Sequence, residues 1–194
     1  MKNKEAKKIM QFISEAGMLK AVTRSGWSVL GIKNSESVAE HCFRCAIIGY
    51  ILSGMENASS QKVILMTLLN DIHEARITDL HKMAQYYINT QDAEDRSYLE
   101  QVNNLPARLK DELINLHREY RGQKTKESII SRDADILECL IQAKEYYEQG
   151  FAQAIKFTKK APQFLKTKSA KKIWQFAKNN NITGWWMALS EFKR

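Results

Sequence analysis

The chain has 194 residues, 44% hydrophobic and 27% charged, with a formal net charge of +8. This is an ordinary balance for one globular domain with a sizeable core. No run approaches 18 apolar residues, which excludes a membrane-spanning helix. The charged start, MKNKEAKKIMQFISEAG, lacks the apolar core and cleavage site of a signal peptide. With only 8 glycines and 2 prolines, long stretches lack breakers, and the prediction is an all-α fold.

Residues 4–16 pattern as an amphipathic helix, with Ile9, Met10, Phe12 and Ile13 on one side. GMLKAVTRSGWSVLGIKNSES is irregular. SESVAEHCFRCAIIGYILSGM reads as a buried helix, with Ser35 as candidate N-cap and Glu36 in the first turn. SSQKVILMTLLNDIHEA, capped near Ser59 or Ser60, is apolar enough to be central. Shorter helices are expected over 78–88 and 92–103. Pro106 precedes ARLKDELINLHREYRG, which Gly122 ends. KESIISRDADILECLIQAKEYYEQG is a long helix ending near Gly150, and the tail holds short helices around 151–158, 169–179 and 185–192. No repeat or linker divides residues 1–194, so one helical bundle is expected.

The three cysteines, Cys42, Cys45 and Cys139, fit reduced thiols in a cytoplasmic protein. The C-x-x-C in HCFRC offers only two of the four ligands of a structural zinc, so apolar packing is the simpler reading. The excess charge sits in the tail. Gln149 to Ser190 holds eight lysines and no acid. Scattered over about forty residues, they read as a solvated basic face rather than a nucleic-acid site. Trp174, Trp185 and Trp186 in this tail are expected to pack into the core.

Three ionisable residues lie on the most apolar helices: His41, Asp71 and Asp135. A buried carboxylate costs several kcal/mol unless paired or bound to a cation, and one shared divalent ion would explain all three. Each also has a plain structural reading: a satisfied core histidine, a helix-ending Asp71, an Asp135 paired with Arg132. Asp71 and Glu74, three apart, share a face if their helix continues, and Asp79 can reach the same cleft. Arg24 near Trp27 in a glycine-containing loop suits phosphate and sugar contact, or equally a surface Arg beside a core Trp.

In order, MLKAVTRSGW, ESVAEHCFR, NDIHEARITDL and DADILECLIQAKEY resemble the HD-domain phosphohydrolases, nearest the branch of small 5′-deoxynucleotidases. The matched, motif-bearing part is about 18–147, leaving a basic helical tail of about 150–194. The resemblance implies a single HD-domain helical bundle and a metal held by His41, Asn70, Asp71 and Asp135. Asp135 is preferred to Asp133 because the family's Asp precedes an apolar pair and a QAKEY-like stretch, and because Asp135, unlike Asp133, falls in the apolar register. The same resemblance implies Glu74 and Asp79 as catalytic acids, and Arg24 and Trp27 as substrate contacts. The implied reaction is hydrolysis of a nucleoside monophosphate, or a related small phosphate ester, by a homodimer. A divalent ion (Mn, Co, Mg, Fe or Zn) polarises the phosphoryl group and activates water.

One position departs from the pattern. Asn70 stands where the family places the His of its His-Asp pair. An amide oxygen can ligate Mg²⁺ or Ca²⁺ but is a poorer ligand than imidazole for Zn²⁺, Co²⁺ or Fe²⁺. Reduced metal affinity is therefore expected, and a weakened, nucleotide-binding regulatory protein is the alternative reading. His73, two residues past Asp71, points elsewhere on a regular helix, and His81 reads as a surface or cleft residue.

Overall fold

The computed structural model describes residues 3–189. In chain order the helices are α1 (Asn3–Met18), α2 (Ser25–Ser28), α3 (Val38–Glu56), α4 (Ser60–Leu69), α5 (Glu74–Ile77), α6 (Lys82–Tyr87), α7 (Gln91–Val102), α8 (Ala107–Gly122), α9 (Lys126–Glu148) and α10 (Lys168–Asn179). Three 3₁₀ segments, Ala152–Thr158, Ala161–Phe164 and Gly184–Leu189, complete the tail. Among the described residues there is no strand, only an isolated bridge between Thr23 and Ser37. The end of the expected 185–192 helix lies outside the described residues.

The bundle is organised on α3, α4 and α9, which pack against one another. Ile48 and Leu52 of α3, Val63 of α4, and Ile130, Leu137 and Leu140 of α9 form a core that Trp174 of α10 closes. A second cluster joins Val38, Cys42, Met66 and Ile72 to Tyr98, Val102, Leu113 and Leu116. The α3–α4 approach depends on Gly49. A Cβ there would lie 2.9 Å from Val63 Cγ1 and 3.2 Å from Thr67 Cγ2, closer than packed carbons tolerate.

Several helix boundaries follow from capping rather than hydrophobic pattern. Helix α3 starts at Ser37, not Ser35. The Ser37 hydroxyl accepts from Glu40 N at 3.2 Å, and the Glu40 carboxylate accepts from Ser37 N at 2.6 Å, a reciprocal capping box. Helix α4 starts on Ser59. It stops at Leu69, where the chain tightens into i→i−3 turns: Ile72 N donates to Leu69 O, and Glu74 N to Asp71 O. Buried Gln101 of α7 holds this turn by donating to Ile72 O at 3.0 Å. The helix that would have carried Asp71 and Glu74 together is therefore broken between them.

Two expectations about the tail change. Trp174 is buried, but Trp185 and Trp186 are exposed. The tail is tied to α9 instead by Asp133, fully buried, whose carboxylate accepts from Lys166 N, Thr167 N and Thr167 Oγ1 at 2.6–3.1 Å.

Candidate metal centre and catalytic cleft

The core helices set two carboxylates against one imidazole nitrogen. His41 Nε2, from α3, lies 3.5 Å from Asp71 Oδ2, at the end of α4, and 3.3 Å from Asp135 Oδ1, on α9. Two atoms bound to one cation at about 2.1 Å stand about 3.0 to 3.4 Å apart, depending on the angle between them. The two separations from His41 are close to that range; the set that already converges is His41, Asp135 and Cys45, whose Sγ lies 3.4 Å from Nε2, so Asp71 would have to draw in on a shared ion. Asn70 Nδ2 donates to Asp71 Oδ1 at 2.7 Å, so the amide braces the neighbouring carboxylate.

Around these atoms stand the groups expected to do chemistry. Arg24 Nη1 is 3.5 Å from Asp71 Oδ2, and its Nε is 3.9 Å from Asp79 Oδ2. Asp79 also accepts from Ser25 N at 2.8 Å, which fastens the 24–25 turn to the cleft. The bend that returns Asp79 is made by Thr78, at φ 62° and ψ 167°. This backbone region is essentially reserved for glycine, and strain of this kind concentrates at working sites.

Glu74 is buried at the base of the cleft, and its Oε2 has no hydrogen-bond partner. Burial, then the neighbouring charges of Asp71 and Asp79, push its carboxyl up to about 10. On Asp135 burial acts in the same upward sense. The hydrogen bond from His41 and the charges of Arg132 and Arg24 outweigh it, and hold that carboxyl well below the usual range. Four acidic side chains, Asp71, Glu74, Asp79 and Asp135, thus surround Arg24 and the His41 ring, with Arg132 at the rim, 3.2 Å from Asp135 Oδ2. An orphaned buried oxygen among clustered acidic groups is what a divalent cation would relieve. The donors present, two carboxylates, one imidazole and an adjacent amide, fit such an ion.

Some expected residues stand elsewhere. Trp27 is 2% exposed, with Tyr146 and Phe157 packed on it at centroid distances of 5.2 and 4.7 Å. Its Nε1–H donates to Glu36 at 2.9 Å. It therefore does not offer a face to substrate in this structure, but backs the loop that carries Arg24. His73 Nδ1 pairs with Asn70 O at 3.0 Å, outside the cluster, and does not replace the missing imidazole. His81 caps α6 by accepting from Ala84 N. The register argument for Asp135 over Asp133 also fails: Asp133 is the fully buried one, while the Asp135 side chain is 23% exposed. What places Asp135 here is its contact with His41.

The sequence reading missed Glu138 and Arg44. Glu138, fully buried, lies 2.5 Å from His41 Nδ1, and Arg44 Nε donates to it at 2.9 Å. Their spacing was a usable signal. Arg44 and Glu138 each stand three residues after a site residue, His41 and Asp135, and so share its helix face.

Helices, a buried imidazole–carboxylate cluster and an arginine at its mouth define a hydrolase scaffold of the HD type. The chain belongs to the HD domain family, whose model matches residues 16–176. It resembles the 5′-deoxynucleotidase HDDC2 of Dictyostelium discoideum, with 29% identity over 72% of this chain and 78% of that one. It resembles the Xenopus laevis protein of the same name equally, at 29% over 73% of this chain and 71% of the relative. A conserved hypothetical protein from Pyrococcus furiosus superposes with a TM-score of 0.74 and 30% identity, covering 88% of this chain and 99% of that one. No helix among the described residues is long and apolar enough to cross a membrane.

Proposed function

We propose that this protein is a cytoplasmic, metal-dependent 5′-nucleotidase that hydrolyses deoxyribonucleoside monophosphates to nucleoside and phosphate. The observation that carries the reading is the meeting of His41, Asp71 and Asp135 beside Arg24, Glu74 and Asp79 in one carboxylate-rich cleft. His41, Asp71 and Asp135, with the Asn70 amide oxygen as a weaker fourth donor, would hold the ion. When bound there, a divalent cation polarises the phosphoryl group and makes water a better nucleophile at neutral pH.

The chain's own groups supply the rest. Arg24, at the cleft mouth, is placed to pair with a phosphate dianion. Asp79, fixed by Ser25 N, keeps Arg24 oriented and accepts or returns a proton near the leaving oxygen. Glu74, whose carboxyl holds its proton unusually firmly, is suited to general acid–base work on the attacking water. The test is phosphate release from a panel of ribo- and deoxyribonucleoside monophosphates with Mn²⁺, Co²⁺ or Mg²⁺. Turnover with a preference for deoxynucleotides supports the reading, and no release from any pair contradicts it.

A second reading has its own support. Asn70 is engaged with Asp71 rather than free, which fits a weakened site that binds nucleotide without turning it over. Nucleotide binding without phosphate release, with activity gained in Asn70→His, would favour it.

The active unit is proposed to be one domain that assembles as a homodimer. An apolar stripe along α3, Phe43, Ile47, Tyr50, Ile51 and Met55, is exposed at helical spacing and suits self-packing about a twofold axis. Ile47→Glu should then shift the protein to monomer in sedimentation; an unchanged mass would exclude this face.

A further inference from the structure

One side of the site is built with more care than metal ligation by itself requires. His41 turns Nε2 toward Asp71 and Asp135 and Nδ1 toward Glu138 Oε2. The second oxygen of Glu138, Oε1, receives Arg44 through Nε at 2.9 Å and Nη2 at 2.8 Å. Arg44 is itself held, with Nη2 donating to Gln142 Oε1 and Nη1 to Glu145 Oε2, both at 2.6 Å. A guanidinium only donates. Oε1 of Glu138 must therefore accept, and a carboxylate leaves Oε2 free to accept as well. That requires a proton on His41 Nδ1, and leaves Nε2, which faces Asp71 and Asp135, as the nitrogen that gives up its own proton when a cation binds. Glu36 also brings an oxygen near the His41 ring, but its Oε1 already takes the Trp27 indole N–H.

We propose that Arg44 and Glu138 are positioning residues: together they lock His41 in the tautomer whose Nε2 can ligate a metal. The proposal rests on the reading of His41 as a ligand and adds the device that prepares it. Outer-shell carboxylates on ligating histidines characteristically matter tenfold to a hundredfold in metal affinity.

The arrangement makes an unusual substitution informative. In Glu138→Gln the shape is kept, but Arg44 demands the amide oxygen. The amide NH₂ then faces Nδ1, which must accept, so the proton moves to Nε2 and blocks the ligand position. Removing the demand should undo the damage. In Arg44→Gln/Glu138→Gln, the residue 138 amide can turn its oxygen to Nδ1–H and restore the tautomer.

The experiment is calorimetric titration of Mn²⁺ and Zn²⁺ into the metal-free full-length wild type, Asn70→His and these two variants, with melting curves to confirm that each is folded. A ¹H–¹⁵N spectrum of the zinc-loaded wild type reads the tautomer directly. The expected result is about 10- to 100-fold weaker binding in Glu138→Gln, recovery of most of that loss in the double variant, and a proton on Nδ1. A purely structural role would make the double variant no better than the single one. Wild-type affinity in Glu138→Gln, no recovery in the double variant, or a protonated Nε2 would each overturn the proposal alone. If neither wild type nor Asn70→His takes up metal, the ligand reading fails and the proposal falls with it.

Discussion

The two halves of the cleft are built differently. On the α3–α9 side every polar group of His41, Glu138 and Arg44 that faces inward has a partner, within two rigid helices. On the 70–79 side the helix breaks after Leu69, Thr78 sits in a backbone region meant for glycine, and Glu74 Oε2 is buried without a partner. The first half is complete as it stands. The second carries a strained backbone and a buried oxygen without a partner. Under the proposed reading, such a site would keep one preformed ligand on the core and leave the other half to be organised by what it binds.

This contrast can be broken from either side. The largest effect should come from Asp71→Asn, which touches both halves through His41 and Arg24. Phosphate release should fall to the background of the assay while the melting temperature stays the same or rises, since one of the crowded carboxylates is gone. A variant that retains substantial turnover would separate Asp71 from the chemistry.

Next in size is Gly49→Leu, aimed at the α3–α4 contact on which the preformed half rests. With a Cβ already 2.9 Å from Val63 Cγ1, overpacking should cost about 1–3 kcal/mol in urea unfolding. Thr78→Gly, aimed at the strained half, should act in the opposite direction, adding about 1 kcal/mol or more by relieving the backbone at φ 62°. Unchanged stability in Thr78→Gly would mean that the bend is not strained.

A further expected effect is a slope. Glu74 loses its proton at about 10 in the folded chain, well above the ordinary carboxyl value of 4.5. Between those values the folded state binds more protons than the unfolded one. Its contribution is full below pH about 4.5 and is lost as pH rises toward 10. Metal-free wild type should therefore lose stability across that window more steeply than Glu74→Gln, as read by thermal melts at a series of pH values. Parallel curves would remove Glu74 from the account.

Much of this could be read from the chain. The long helices carrying His41 and Asp135 were legible because both stretches are long, largely apolar through their middles and free of proline, and DADILECLIQAKEY is one continuous element, α9. Less legible were features set by side-chain competition across elements. Ser37 outcompetes Ser35 as a cap because only it has Glu40 three residues on. Asp133 is drawn inward by backbone N–H groups of a tail segment more than thirty residues away, which no local register shows. Trp27 turns into the core because Tyr146 and Phe157 are there to receive it. The break after Leu69 carries no Gly or Pro, only the helix-ending reading of Asp71. It is held by Gln101, from another helix.

The central claim is that His41, Asp71 and Asp135 form a cation site despite Asn70. Its most direct measurement is metal analysis and Mn²⁺ titration of the wild type beside Asp135→Asn. The account predicts one ion per chain in the wild type, lost or greatly weakened in Asp135→Asn. Absence of binding in the wild type, or binding that Asp135→Asn leaves unchanged, would contradict it.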